Sequence, residues 1–368
     1  MLKLKKYLLA VGVASVIGLA ACSSGGSSAG GASAGGSGGA KGGSYTIGLL
    51  LPETDVARYE TKDKPYFEEK LKDLCSSCKF LYDNANSSAS TQQEQAESML
   101  AQGANVLVVD PYDGVAAASI VSAAKAKNVP VVAYDRLISS PDLTYVISND
   151  YQKVGQLQAQ ALVGALKARH VPASAGGIIM INGATTDNNA GNIKAGALSV
   201  IKASGYQVLS ETDTWDPTQA QQWVGGQATV HGHKIIGLYS ANDGNAAGAI
   251  AALKAKGWTN GQIGALGITG LDATVQGIQY ILSGLQLMTT YNAFKSEAYA
   301  AATVAYDLAK GTKPPSGATV AGHPASLNPP QSVTATTIGS TVIKDGFWTA
   351  SAICTSTYQA ACQKDGIS

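Results

Sequence analysis

Val129-Pro130-Val131-Val132-Ala133-Tyr134-Asp135-Arg136 is a short, β-branched, apolar run that stops abruptly at an acid and a base. It reads as a buried strand that delivers charge to its carboxyl end. Four other runs end the same way. Residues 106–109 lead into Asp110 and Asp113, and residues 178–181 into Asn182 and then Asp187, Asn188 and Asn189. Residues 235–238 lead into Asn242 and Asp243, and residues 263–268 into Asp272. Ala-rich helical stretches separate the runs, so strand and helix alternate, as in α/β folds with open parallel sheets. Such sheets bind ligands outside the carboxyl ends of their strands. The polar ends of the five runs are therefore the candidate site.

Working outward, strands are expected over 45–51, 79–82, 106–109, 129–134 and 145–148, with helices over 67–74, 90–102 and 115–127. A helix over 153–168 restarts the pattern. Strands follow over 177–181, 206–209, 235–239, 265–269 and 287–291, with helices over 191–203, 218–229, 244–256, 273–282 and 294–311. A Pro-rich segment, 313–330, then leads to residues 341–348 and a Cys-bracketed tail. Two similar α/β units predict two lobes with a cleft between them, a common place for a ligand.

The 368 residues suffice for two domains and a sizeable core. A formal net charge of +1 with 14% charged residues gives no support for nucleic-acid binding. At the start, Lys3, Lys5 and Lys6 precede a thirteen-residue apolar stretch, Tyr7 to Leu19, and then Ala20-Ala21-Cys22. That is a signal peptide over residues 1–21; its apolar run is shorter than the roughly 20 residues of a spanning helix. Leu19-Ala20-Ala21-Cys22 resembles the lipobox of bacterial lipoproteins, which implies cleavage before Cys22 and a diacylglyceryl group on its sulfur. Residues 22–43 hold little but Gly, Ser and Ala and are expected to be a tether reaching on the order of 25 Å. The chain would then sit on the outer face of the cytoplasmic membrane or in the periplasm. The four later cysteines fall in two close pairs, Cys75 with Cys78 and Cys354 with Cys362, and an exported chain favours disulfides for them. Cys75-Ser76-Ser77-Cys78 closes a helix instead of opening one, so a structural bridge is expected and not a redox motif.

The strand ends offer Arg58, Asp113, Asp135, Arg136, Asp187, Asn189, Asn242 and Asp272, with Tyr59 and Trp215 as aromatics. Carboxylates, amides and guanidiniums facing one another can neutralise their charges while accepting and donating hydrogen bonds. A neutral polyhydroxylated ligand needs such partners: Asp accepts from vicinal hydroxyls, Arg donates through a planar fork, and Asn does one of each. An indole can cover the C–H face of a sugar ring. Asp and Asn after a strand are also common helix caps, and Asn188 and Asp243 are read as caps or turn residues.

At these residues the chain resembles a family. Ala133-Tyr134-Asp135-Arg136, Thr186-Asp187-Asn188-Asn189, Ser240-Ala241-Asn242-Asp243-Gly244, Gly270-Leu271-Asp272 and Lys344-Asp345-Gly346-Phe347 resemble, in order, motifs of the periplasmic xylose-binding proteins, from Tyr45 to the C-terminus. These are type I periplasmic binding proteins that serve ABC importers. The resemblance implies two doubly wound parallel-sheet lobes joined by three chain crossings, near 148–150, 287–292 and 331–337. It implies an N-terminal lobe of 44–148 plus 291–330 and a C-terminal lobe of 149–290 plus 338–368. The ligand set it implies is Arg58, Tyr59, Asp135, Arg136, Asp187, Asn189, Trp215, Asn242, Asp272 and Asn292. Tyr59 stands where the family has Trp, Leu271 where it has Gln, and Asn292 where it has Lys. The partners implied are a monosaccharide and an ABC permease with its ATPase; no cofactor or metal is expected, and the protein is expected to be a monomer.

Three rival readings use the same residues. Asp135 and Asp187 could act as acid and base in glycoside chemistry, but His170, His231, His233 and His323 lie away from the strand ends and no Gly-x-Ser-x-Gly elbow follows an expected strand. His231 and His233 alone make a poor metal site. A two-lobed transcriptional regulator would need a helix-turn-helix and a basic face where this chain has an export signal. A sugar-sensing receptor subunit would share the site and differ only in its membrane partner.

Overall fold

The computed structural model describes residues 44–315 and 317–367. The signal segment, Cys22 and the tether lie outside these described residues.

The β-branched runs pair as the pattern demands. β1 (Thr46–Leu51), β2 (Lys79–Asn84), β3 (Val106–Val109), β4 (Val131–Tyr134) and β5 (Tyr145–Asn149) make one sheet in the order β5-β4-β3-β1-β2, every pair parallel. Between them run α1 (Lys64–Leu74), α2 (Ala89–Ala101) and α3 (Ala118–Lys125), with a π-helical turn at Tyr59–Asp63 ahead of α1. The chain leaves this sheet at Asn149 and enters α4 (Tyr151–Ala168). A second parallel sheet follows, β6 (Gly177–Asn182), β7 (Val208–Asp213) and β8 (Ile235–Ser240) in the order β7-β6-β8. Its helices are α5 (Asn188–Ser204), α6 (Pro217–His231), α7 (Asp243–Ala255), α8 (Asn260–Gly264) and α9 (Val275–Leu282). Both sheets bury apolar side chains on both faces, which is why the strands read as continuous hydrophobic runs.

β9 (Thr289–Tyr291) is followed by α10 (Phe294–Ala309), which packs back on the first sheet beside α1. The Pro-rich segment holds a hairpin, β10 (Ala318–Val320) and β11 (His323–Asn328), with β11 parallel to β5, so the first sheet has seven strands. β12 (Gln331–Val333) then pairs antiparallel with β9. Cys75 bonds to Cys78 and Cys354 to Cys362.

Two expectations differ from the structure. Residues 265–269 form no regular ladder: Ala265 ends α8 in a helical conformation, Leu266 continues the turn and Gly267 lies at φ +62°, and the segment is held by Leu238 N–H to Leu266 O and Leu287 N–H to Ile268 O. The Pro-rich segment supplies a strand pair instead of a plain connection, its turn made by Ala321 and Gly322 at positive φ. No helix among the described residues is long and apolar enough to cross a membrane.

Candidate ligand-binding site

One cavity lies at the carboxyl ends of both sheets. Nine of the ten residues expected at a site line it: Arg58 and Tyr59 after β1, Asp135 and Arg136 after β4, Asp187 and Asn189 opening α5, Trp215 between β7 and α6, Asn242 after β8, and Asp272 before α9. Val56, Tyr151, Ile193 and Leu271 complete the wall.

Local folding explains each placement. Asp135 and Asp272 have φ of +59° and +92°, conformations that Asp tolerates better than most residues. Asp135 is held there from both sides: its N–H donates to Ile147 O, and its carbonyl accepts from the Ser148 hydroxyl at 2.6 Å and Asn189 Nδ2 at 3.1 Å. Asp187 and Asn242 are helix caps that also face the cavity. Asp187 Oδ1 accepts from Asn189 N–H at 2.8 Å, leaving Oδ2 for Trp215 Nε1 at 3.1 Å. Asn242 Oδ1 accepts from Asn245 N–H at 2.9 Å. Trp215 packs flat on Gly183, where any Cβ would overlap the indole. Asp243, read as a cap or turn residue, is instead the first residue of α7, whose cap is Asn242. It is buried, accepts from Gln286 Nε2 at 2.7 Å and Thr274 N–H at 2.8 Å, and so fixes the turn that carries Asp272.

Two guanidiniums organise the charge. Arg58 donates to Asp135 Oδ2, lies 3.9 Å from Asp63 and 4.0 Å from Glu297, and stands 4.0 Å above the Phe294 ring. The Tyr151 hydroxyl donates to the other Asp135 oxygen. Arg136 Nη2 donates to Glu53 and to the Tyr59 hydroxyl, and its Nε lies 3.2 Å from Asp187 and 3.7 Å from Asp110. Burial works against both arginine charges, but the facing acids hold their pKa values above the ordinary one. Burial raises the carboxyls: Asp272 to about 7 and Asp63 to about 6, with Asp187, Asp110 and Glu297 also raised. Arg136 offsets part of that rise at Asp187 and Asp110, and Arg58 part of it at Glu297.

Asn292 and Asp113 are not in the wall. Asn292 is fully buried beyond β9, and neither of its side-chain amide atoms has a hydrogen-bond partner among the described residues. Asp113 is a turn residue whose Oδ1 accepts from Val115 and Ala116 N–H at 2.8 and 2.9 Å; the acid that reaches the buried network from that strand is Asp110. Asn188, read as a cap, instead donates across the cleft to Leu137 O at 3.1 Å. Tyr151 and Glu53 were missed as site residues, and Asp110, noted at the end of its strand, was left out of the ligand set. The signals present were a tyrosine immediately after the first chain crossing, and acids at or just beyond the ends of β1 and β3.

The cavity therefore presents acceptors, forked donors, amides and an indole from both sheets, with the charges mutually compensated. It is built for a small, neutral ligand rich in hydroxyls.

The sequence profile of the periplasmic binding protein domain matches residues 47–313. The chain is 34% identical to the D-xylose-binding periplasmic protein of Escherichia coli (strain K12), over 82% of this chain and 90% of that protein. It is 33% identical to the protein of the same description from Haemophilus influenzae, over 83% and 91%. Among solved structures, a carbohydrate transporter solute-binding protein from Chloroflexus aurantiacus in complex with D-glucose superposes with a TM-score of 0.73 at 26% identity, covering 83% of this chain and 97% of that one.

Proposed function

The chain belongs to the periplasmic binding protein domain family, and we propose that it captures an aldopyranose such as D-xylose outside the cytoplasm for an ABC importer. The observation that carries this reading is the cavity itself, in which nine sugar-matching residues from two sheets converge. The relatives at 34% and 33% identity are described as D-xylose-binding, which favours a pentose; the D-glucose in the Chloroflexus structure keeps hexoses in the test. These relatives are binding proteins, not enzymes.

We assign the lobes as residues 44–148 plus 291–330 and residues 149–290 plus 338–368. The hinge lies where the chain passes from β5 to α4 and along the β9–β12 pair. A sugar that contacts both lobes stabilises the closed arrangement and so shifts the population towards the form a permease would recognise. Lipid attachment at Cys22 would hold the protein at the membrane.

A thermal-shift panel of xylose, glucose, galactose, arabinose, ribose and fucose at millimolar concentration tests the reading. A ligand at a hundred times its Kd adds about 2.7 kcal/mol of stability. The expected result is a clear rise in Tm with one or two of the six. No rise with any of them would remove the monosaccharide reading.

A further inference from the structure

We propose that the protein also takes glycosides, with one sugar ring in the inner cavity and a second, neutral ring in an outer chamber at the mouth of the cleft. This rests on the function proposed above.

The outer chamber adjoins the inner cavity and is open to solvent. Arg136 and Trp215 line both spaces, so side chains and not backbone divide them. The chamber persists although the two sides of the cleft already touch: Asn188 Nδ2 reaches Leu137 O at 3.1 Å and Gly114 N–H reaches Thr186 O at 3.3 Å. Bringing the lobes together therefore leaves room for a substituent on the bound sugar.

The walls suit a hydroxylated ring. In the inner cavity Arg58, Asp135, Arg136 and Asp187 are bonded to one another. In the chamber, Tyr112 is half-buried with its backbone N–H held by Gln92 Oε1 at 3.0 Å, and its hydroxyl has no protein partner among the described residues. The exposed hydroxyls of Thr185 and Thr186 face the same space without side-chain partners among the described residues. Tyr112 comes from the first lobe, so a ring seated in the chamber can lay one C–H face on its phenol ring. Asp55 and Asp216 on the same wall disfavour an anionic substituent such as a uronic acid.

The test is calorimetric titration of the full chain with the six monosaccharides above and with xylobiose, cellobiose and galactobiose, for wild type and Tyr112→Ala. The expected result is that a dimer of the preferred sugar binds within about tenfold of the monosaccharide, and that Tyr112→Ala weakens the dimer about fivefold while leaving the monosaccharide unchanged. Monosaccharide binding with no dimer binding would overturn this inference alone. So would a Tyr112→Ala effect that is absent, or equal for both ligands. No binding of any sugar would overturn the proposed function and this inference with it.

Discussion

Gly183 is not in the cavity wall, yet it decides where Trp215 lies. A Cβ there would overlap the Trp215 indole, which is fixed on its other edge by the Asp187 carboxylate at 3.1 Å. Gly183→Ala should therefore weaken sugar binding by about tenfold, as a small displacement of a stacked ring forfeits roughly a quarter to a half of its contact energy; Trp215→Ala sets the upper limit of the loss. Equal affinity of Gly183→Ala and wild type in a calorimetric titration would show that the indole is positioned by something else. Asp272 gives a second test at this scale. Burial raises it to about 7 from an ordinary 3.8, so the folded protein holds this proton more tightly than the unfolded chain. Its contribution to stability is thus fully present below the ordinary value and is lost as pH rises through about 7. Wild type should accordingly gain thermal stability relative to Asp272→Asn when the unliganded proteins are melted at about pH 5 instead of about pH 7. A difference between the two that does not change with pH would place the Asp272 carboxyl in a better-solvated setting.

At the scale of elements, α4 and α5 cross where two glycines meet backbone. A Cβ at Gly155 would strike Ile193 O, and one at Gly196 would strike Gln152 O. The contact lies beside the site: Tyr151 begins α4, Asn189 lies in the first turn of α5, and Ile193 lines the cavity. Gly196→Val should cost about 1 to 3 kcal/mol by overpacking and should also weaken sugar binding, because the helices that separate carry cavity residues with them. Unchanged urea midpoints would show that the pair yields without strain. The same elements show what could be read in advance. The strand ends were legible because β-branched runs break off at charged residues, and the parallel order followed from the helices between them. The β10–β11 hairpin was not, since Pro324, Asn328 and Pro329 in and after β11 read as loop, and its place in the sheet is set by the distant edge of β5. The choice of Asp113 over Asp110 failed for a related reason: both follow one strand, and burial, which sequence pattern does not distinguish over three residues, selects Asp110.

For the whole molecule, the question is what free energy separates open from closed. Asn188 is informative because it lies outside the cavity wall and still bridges the cleft, donating to Leu137 O at 3.1 Å. Gly114 lies under that bond, close enough that a Cβ would crowd both Leu137 O and Asn188 Nδ2. In the open state the Asn188 amide and the Leu137 carbonyl would both face water, so their bond contributes to closure and not to folding. A hydrogen bond of this kind contributes about 0.5 to 1.5 kcal/mol net. On the linkage of sugar binding to closure proposed above, Asn188→Ala should lower apparent affinity by about two- to tenfold without removing a residue of the cavity wall. Small-angle scattering on the same variant should show a more open average in the absence of sugar and the same closed form as wild type at saturation. Weaker binding together with an altered saturated form would mean that Asn188 shapes the site itself. Unchanged affinity and unchanged scattering would mean that closure is held by the Arg136–Asp187 contact, 3.2 Å apart across the same cleft, and that the amide bridge only follows it.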